Sequence, residues 1–117
     1  MHEESLIRSL LRQVDELMLT HQGVAVEEIE VEVGPLSGVE PFLLMDAFER
    51  LKSESSSSTG RLSIVEVGLD VLCRDCQCKS QLKNFHFACH ECGSTSVQIL
   101  CGDEFRLLSV RMQQHET

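Results

Sequence analysis

From Glu3 to His21 the apolar residues Leu6, Ile7, Leu10, Leu11, Val14, Leu17 and Met18 recur at three- and four-residue steps. That spacing predicts an amphipathic helix with one buried stripe. Glu3 and Glu4 fall in its first turn, where carboxylates suit the positive end of the helix dipole, and Gly23 is the expected C-terminal stop. The period then changes to two. Ile29, Val31 and Val33 alternate with Glu30 and Glu32, which describes a strand with one buried face. Glu28, Glu30 and Glu32 read as its solvated face rather than a metal-binding row. Gly34-Pro35 ends the strand, and Pro41 fits the start of a second helix, where the donor it lacks would be unpaired anyway. Leu44, Ala47, Phe48 and Leu51 give that helix its stripe. Ser53 to Gly60, mostly serine, is composed like a flexible surface loop too polar to pack. Alternation resumes at Leu62, Ile64 and Val67, and returns near the end, where Leu108, Val110 and Met112 are expected on one strand face. These two strands flank a cysteine-rich segment. The order predicts a small α/β body with the cysteine module inserted between neighbouring strands.

A chain of 117 residues has room for one domain and one attached module. Nineteen acids against ten bases give a formal charge of -9, which repels phosphate backbones and anionic membrane surfaces. Nucleic acid is therefore disfavoured as a partner. No window approaches the roughly 18 apolar residues of a spanning helix, and the acidic, polar start is unlike a signal peptide. A soluble, cytoplasmic protein is expected, without membrane insertion, as a monomer or weak homodimer.

Six cysteines without an export signal point to metal chemistry rather than disulfides. Cys73 and Cys76 form one Cys-x-x-Cys, Cys89 and Cys92 another, with twelve residues between the pairs. Each pair can present two sulfurs from a tight turn to one tetrahedral ion, and four thiolates at about 2.3 Å suit Zn²⁺ in a closed structural site. Iron in a rubredoxin-like site meets the same spacing, and a thiol redox function remains a rival. Leu82, Phe85 and Phe87 are among the few apolar residues of this segment, so the metal must supply much of its folding energy. Of the other candidates, Cys101 reads as a buried free thiol after Ile99 and Leu100. Cys78 reads as structural or incidental although near enough to exchange with a ligand, and His86 and His90 read as solvent-facing.

His2 places an imidazole beside the α-amine of Met1, with an amide nitrogen between them. Ni²⁺ accepts such nitrogens in square-planar geometry and can take deprotonated backbone amides as ligands. Initiator Met is expected to be kept, because His is too bulky for its usual removal. Amine and imidazole have reference pKa values of about 7.7–8.0 and 6.5, so protons compete with the metal near neutrality. Taken alone, a His at this position is an ordinary exposed side chain.

Met1-His2-Glu3 with Ser5-Leu6, then Gly34-Pro35-Leu36-Ser37-Gly38-Val39-Glu40, the paired Cys-x-x-Cys and Gly102-Asp103-Glu104-Phe105 together resemble the HypA/HybF nickel-insertion chaperones of [NiFe]-hydrogenase. The resemblance runs from residue 1 to about Met112. It implies a mixed three-stranded sheet with two helices carrying nickel (residues 1–69 and 102–117) and a zinc-ribbon domain (70–101). Carried onto this chain, it implies nickel ligation by the Met1 amine, the His2 imidazole and the backbone amides of His2 and Glu3. Zinc would fall on Cys73, Cys76, Cys89 and Cys92. Ni²⁺ would be cargo for the hydrogenase large subunit, with the GTPase HypB as partner and no covalent chemistry on a substrate. Gln77 stands where Gly is frequent in the family and His90 where Pro is common; neither change removes a ligand. A zinc-ribbon adaptor that never carries nickel, and the same chaperone serving urease, are the alternatives.

Overall fold

A computed structural model describes residues 2–82 and 86–114. Met1, expected as a nickel ligand, and Phe85, expected in the cysteine module, lie outside the described residues. The elements are α1 (His2–Thr20), β1 (Gly23–Val33), α2 (Pro41–Leu51), β2 (Arg61–Glu66), β3 (Leu69–Cys73), β4 (Lys79–Leu82), β5 (Val97–Cys101) and β6 (Phe105–Gln114).

The first sheet has the order β2-β1-β6, with β1 parallel to β2 and antiparallel to β6. Its core takes Ile7, Leu10, Leu11, Val14 and Met18 from α1, Leu44, Ala47 and Phe48 from α2, and Val26, Ile29, Val31, Val33 and Leu62 from the strands. Both helices therefore form where their stripes lie, with Glu40 capping α2 and Pro41 at its start. The second sheet, order β4-β3-β5, is antiparallel throughout and, among the described residues, its core is Leu69, Val71 and Leu82, with Phe87 and Val97 packed against them. The fold is thus α+β, as expected. A radius of gyration of 18.0 Å, against about 13 Å for one compact domain of this length, reflects two small sheets rather than one core. No described helix is long and apolar enough to cross a membrane.

Five expectations are corrected. The left-handed residue after α1 is Gln22 (φ 55), while Gly23 opens β1. β1 begins six residues earlier than its alternation suggested, and its glutamates are half-buried rather than simply wet. Arg111 donates to Glu27 (3.1 Å) and Glu28 (2.8 Å), Arg61 lies 3.5 Å from Glu28, and Arg106 pairs with Glu32. The two strands flanking the cysteine segment are not neighbours, because β1 lies between them. Two strand spacings, roughly 9–10 Å, must be closed, and the end of β1 closes them. Val67 N–H donates to the Val33 carbonyl (3.0 Å), Gly34 N–H to that of Glu104 (2.7 Å), and Leu36 N–H to that of Gly102 (2.6 Å). A Cβ on Gly34 would stand 2.2 Å from the Gly102 carbonyl oxygen, so this crossing needs glycine.

On β6, Glu30 faces Ser109 and Val31 faces Leu107, so Leu108 is an unpaired bulge. The bulge turns Leu108 outward, 43% exposed, and gives its inward place to Leu107 beside Val110 and Met112. The serine segment, finally, is packed. Ser56 donates through both its amide and hydroxyl to Asp15 of α1, Ser55 folds back on Lys52, and Ser57 is fully buried. Short hydroxyl side chains satisfy the local backbone here, so low hydrophobicity did not mean an unpacked loop.

Candidate metal centres

β3 ends on Cys73, and the chain turns back into β4 through Arg74–Cys78, closed by Cys73 N–H donating to the Cys78 carbonyl (2.9 Å). Gln77 N–H donates to the Cys73 carbonyl (3.0 Å), and Cys76 N–H points at Cys73 Sγ (3.4 Å). Cys89–Gly93 has a similar turn: Gly93 N–H donates to the Cys89 carbonyl (2.9 Å) and Glu91 N–H points at Cys89 Sγ (3.4 Å). The residue after each pair is left-handed, Gln77 at φ 65 and Gly93 at φ 75. The family's frequent Gly is therefore replaced here by a side chain that must tolerate αL. The turns are tied together by Arg74 N–H to the Ser96 carbonyl (2.9 Å) and Ser94 Oγ to Asp75 (2.5 Å).

This pairing of turns brings Cys73, Cys76, Cys89 and Cys92 together, their sulfurs all within 4.8 Å of one another. Cys73 Sγ is 3.6 Å from Cys92 Sγ, and Cys76 Sγ 3.5 Å from Cys89 Sγ. A tetrahedral ion with bonds of about 2.3 Å separates its sulfurs by about 3.8 Å, so a small contraction or expansion of this group could hold zinc. The surrounding amides suit thiolates. The Cys76 amide draws the Cys73 thiol below its ordinary pKa, and the Cys92 and Glu91 amides bring Cys89 down to about 6. Cys76 and Cys92 receive amide donors from Cys78 and Ser94, but the adjoining sulfurs outweigh these and push both thiols up. Four negative sulfurs this close cannot coexist without a cation, and a divalent ion would relieve that crowding.

The remaining cysteines and histidines divide. Cys78 is half-buried outside the four-sulfur group, and His86 and His90 are exposed. Cys101, expected as a buried thiol, is instead half-exposed, because β5 is an edge strand that turns Ile99 and Leu100 outward. Its Sγ donates to Asp70 (3.0 Å), whose carboxylate pushes the thiol pKa up.

At the other end of the chain, His2 is exposed in the first turn of α1. Glu3 is buried, and its carboxylate accepts the Glu40 N–H at the head of α2 (3.1 Å). That amide is the chief reason its pKa is held down to about 2. Glu4 pairs with Arg50 of α2 (2.9 Å). The sequence assigned the Glu3 carboxylate to the helix dipole and its amide to nickel, but not the side-chain contact to α2. The available signal was its place on the same helical face as Ile7, Leu10 and Val14.

The family described as hydrogenase/urease nickel incorporation, metallochaperone, HypA, matches residues 1–112. The hydrogenase maturation factor HypA of Shewanella baltica (strain OS185) is 33% identical over 116 residues, covering 99% of each chain. That of Aquifex aeolicus is 32% identical over 113 residues, covering 97% of this chain and 98% of its own. Among solved structures, the solution structure of the nickel metallochaperone HypA from Helicobacter pylori is similar with a TM-score of 0.68 and 30% identity, covering 97% of this chain and 98% of that one. A second HypA solution structure gives 0.73 and 31%, covering 98% of each.

Proposed function

The chain belongs to the HypA family of nickel metallochaperones, and from that premise we propose that it carries Ni²⁺ at its N-terminus and delivers it to the [NiFe]-hydrogenase large subunit. The observation that carries the reading is the start of α1. His2 is exposed there, while the Glu3 carboxylate is drawn to the Glu40 amide. The first four amides of a helix have no intrahelical acceptor, so deprotonating the His2 and Glu3 nitrogens breaks no helical hydrogen bond. Nickel can then be gripped by the Met1 amine, the His2 imidazole and these amides without unwinding α1. Because amine and imidazole bind as free bases, acidification releases the cargo.

Zinc on Cys73, Cys76, Cys89 and Cys92 holds the second sheet together, as a structural rather than catalytic ion. Residues 1–69 and 102–117 form the nickel-carrying unit and 70–101 the zinc unit. The protein acts in the cytoplasm with the GTPase HypB, binds and releases its cargo, and performs no covalent catalysis. The test is transfer: zinc-loaded protein charged with one equivalent of ⁶³Ni is mixed with iron-loaded, nickel-free large subunit in the presence of a competing chelator. Retention of ⁶³Ni on the large subunit, lost with His2→Ala, is the expected outcome. Equal transfer by the His2→Ala protein would favour an adaptor role. The family description also names urease, and the same assay with a urease apoprotein decides the client.

A further inference from the structure

β6 forms one edge of the first sheet, and among the described residues no main-chain partner lies on its outer side. It is ten residues long and contains no acid, proline or glycine. Exposed edges of that kind are normally blunted by charge, proline, bulges or brevity; among the described residues β6 has the Leu108 bulge and two arginines, Arg106 and Arg111. Helix α1 packs against one face of β6. Two adjoining hollows of about 410 and 310 Å³ lie between α1 and β6 and share Gln13 and Leu107; Leu6, Leu10, Phe105, Ser9 and Arg106 complete the first, and Leu17, Glu16 and Thr20 the second. Leu6, Leu17, Phe105 and Leu107 are all only half-buried. A row of unpaired amides and carbonyls beside a groove with an apolar floor and a polar rim is what an extended strand requires: main-chain bonds to the edge, and alternate side chains in the groove.

The opposite face of β6 indicates the chemistry of that strand. Arg111 pairs there with Glu27 and Glu28, and Arg106 pairs with Glu32 while also reaching the rim of the first hollow; they are 59% and 64% exposed, and each has guanidinium donors beyond those given to these glutamates. β1, which already pairs with the inner edge of β6, alternates apolar residues toward the helices with glutamates toward these arginines. We propose that the outer edge of β6 and the groove beneath α1 receive an extended segment of another protein in which apolar residues alternate with acidic ones. A second copy of β6 is the poorer occupant. Antiparallel pairing of β6 with itself would bring its two arginines against each other, with no acid on the strand to offset them. The site is separate from the N-terminus, and its test needs no nickel.

The probe is a fluorescein-labelled peptide with the β1 sequence, Gly23–Val33, titrated into the full zinc-loaded chain by fluorescence anisotropy, with amide hydrogen exchange on the complex. The expected result is saturable binding with exchange slowed over Phe105–Gln114. Replacing the peptide's four glutamates by lysine should weaken binding by about tenfold, although the -9 chain attracts such a peptide overall. Gln13→Trp, on the exposed side of α1, should fill the groove and weaken binding of the original peptide by a similar factor without unfolding the protein. Absence of saturable binding, protection elsewhere, tight binding of the lysine peptide or indifference to Gln13→Trp would each overturn the proposal. So would self-association that protects β6 in the free protein, which would assign the edge to a second copy.

Discussion

Withdrawing zinc should melt the second sheet and leave the first. Fully buried apolar side chains contribute roughly 1.5–3 kcal/mol each, and among the described residues the core of the second sheet has three, Leu69, Val71 and Leu82. Together they supply roughly 5–9 kcal/mol, an upper bound because the denatured chain already hides part of that surface. A structural zinc contributes roughly 10–16 kcal/mol near neutral pH, so the metal is the larger of the two terms. Among the described residues the first sheet and its helices bury thirteen apolar side chains, Phe48, Ile7 and Ile29 among them, and none of the four clustered cysteines belongs to that core. Hydrogen exchange with and without a strong chelator at pH 7 measures the difference. Amides of Leu69–Cys73, Lys79–Leu82 and Val97–Cys101 should lose protection, while those of Ile7–Met18 and Val26–Val33 keep theirs. Persistent protection of β3 without metal, or simultaneous loss in α1 and β1, would refute the assignment of the folding energy.

Gln77→Gly should stabilise the zinc-loaded protein by up to about 1 kcal/mol in denaturant titration, because relief of the left-handed strain is partly offset by the greater freedom of glycine in the unfolded chain. Gly34→Ala should destabilise by about 2–3 kcal/mol or more, since its Cβ meets the Gly102 main chain, which can retreat only by opening the junction. Ser57→Ala should leave stability unchanged or raise it by about 1 kcal/mol, because the Ser57 hydroxyl is buried without a partner among the described residues. The Glu3 carboxyl is held near 2, below its ordinary 4.5. Its ionised form therefore stabilises the fold above the unfolded pKa, and that contribution fades as pH falls from about 4.5 toward 2. The stability gap between the native protein and Glu3→Gln should stay constant at higher pH and close across that window.

Much of this arrangement was legible because it follows from periodicity. The stripe from Leu6 to Met18 can be buried only as a helix, Pro41 marks the head of α2, and two Cys-x-x-Cys turns converge on four sulfurs. Features set by tertiary pairing were not legible. The position of β1 between the two flanking strands, and the bulge that exchanges Leu107 for Leu108, depend on strand partners that alternation alone does not name. The Ser53–Gly60 segment packs because Asp15, some forty residues earlier, happens to face it. Cys101 sits among apolar neighbours in sequence but on an edge strand in space. At the N-terminus, the residue types and the resemblance named the ligands, while the role of the Glu3 side chain emerged only when α2 was placed beside α1.

Calorimetric titration of Ni²⁺ into untagged, zinc-loaded protein, compared with His2→Ala and with a chain carrying one extra residue before Met1, tests the carrier claim most directly. One tight equivalent is expected on the native chain, absent from both variants, with the zinc content of all three unchanged. Tight stoichiometric nickel binding that survives both changes would contradict it.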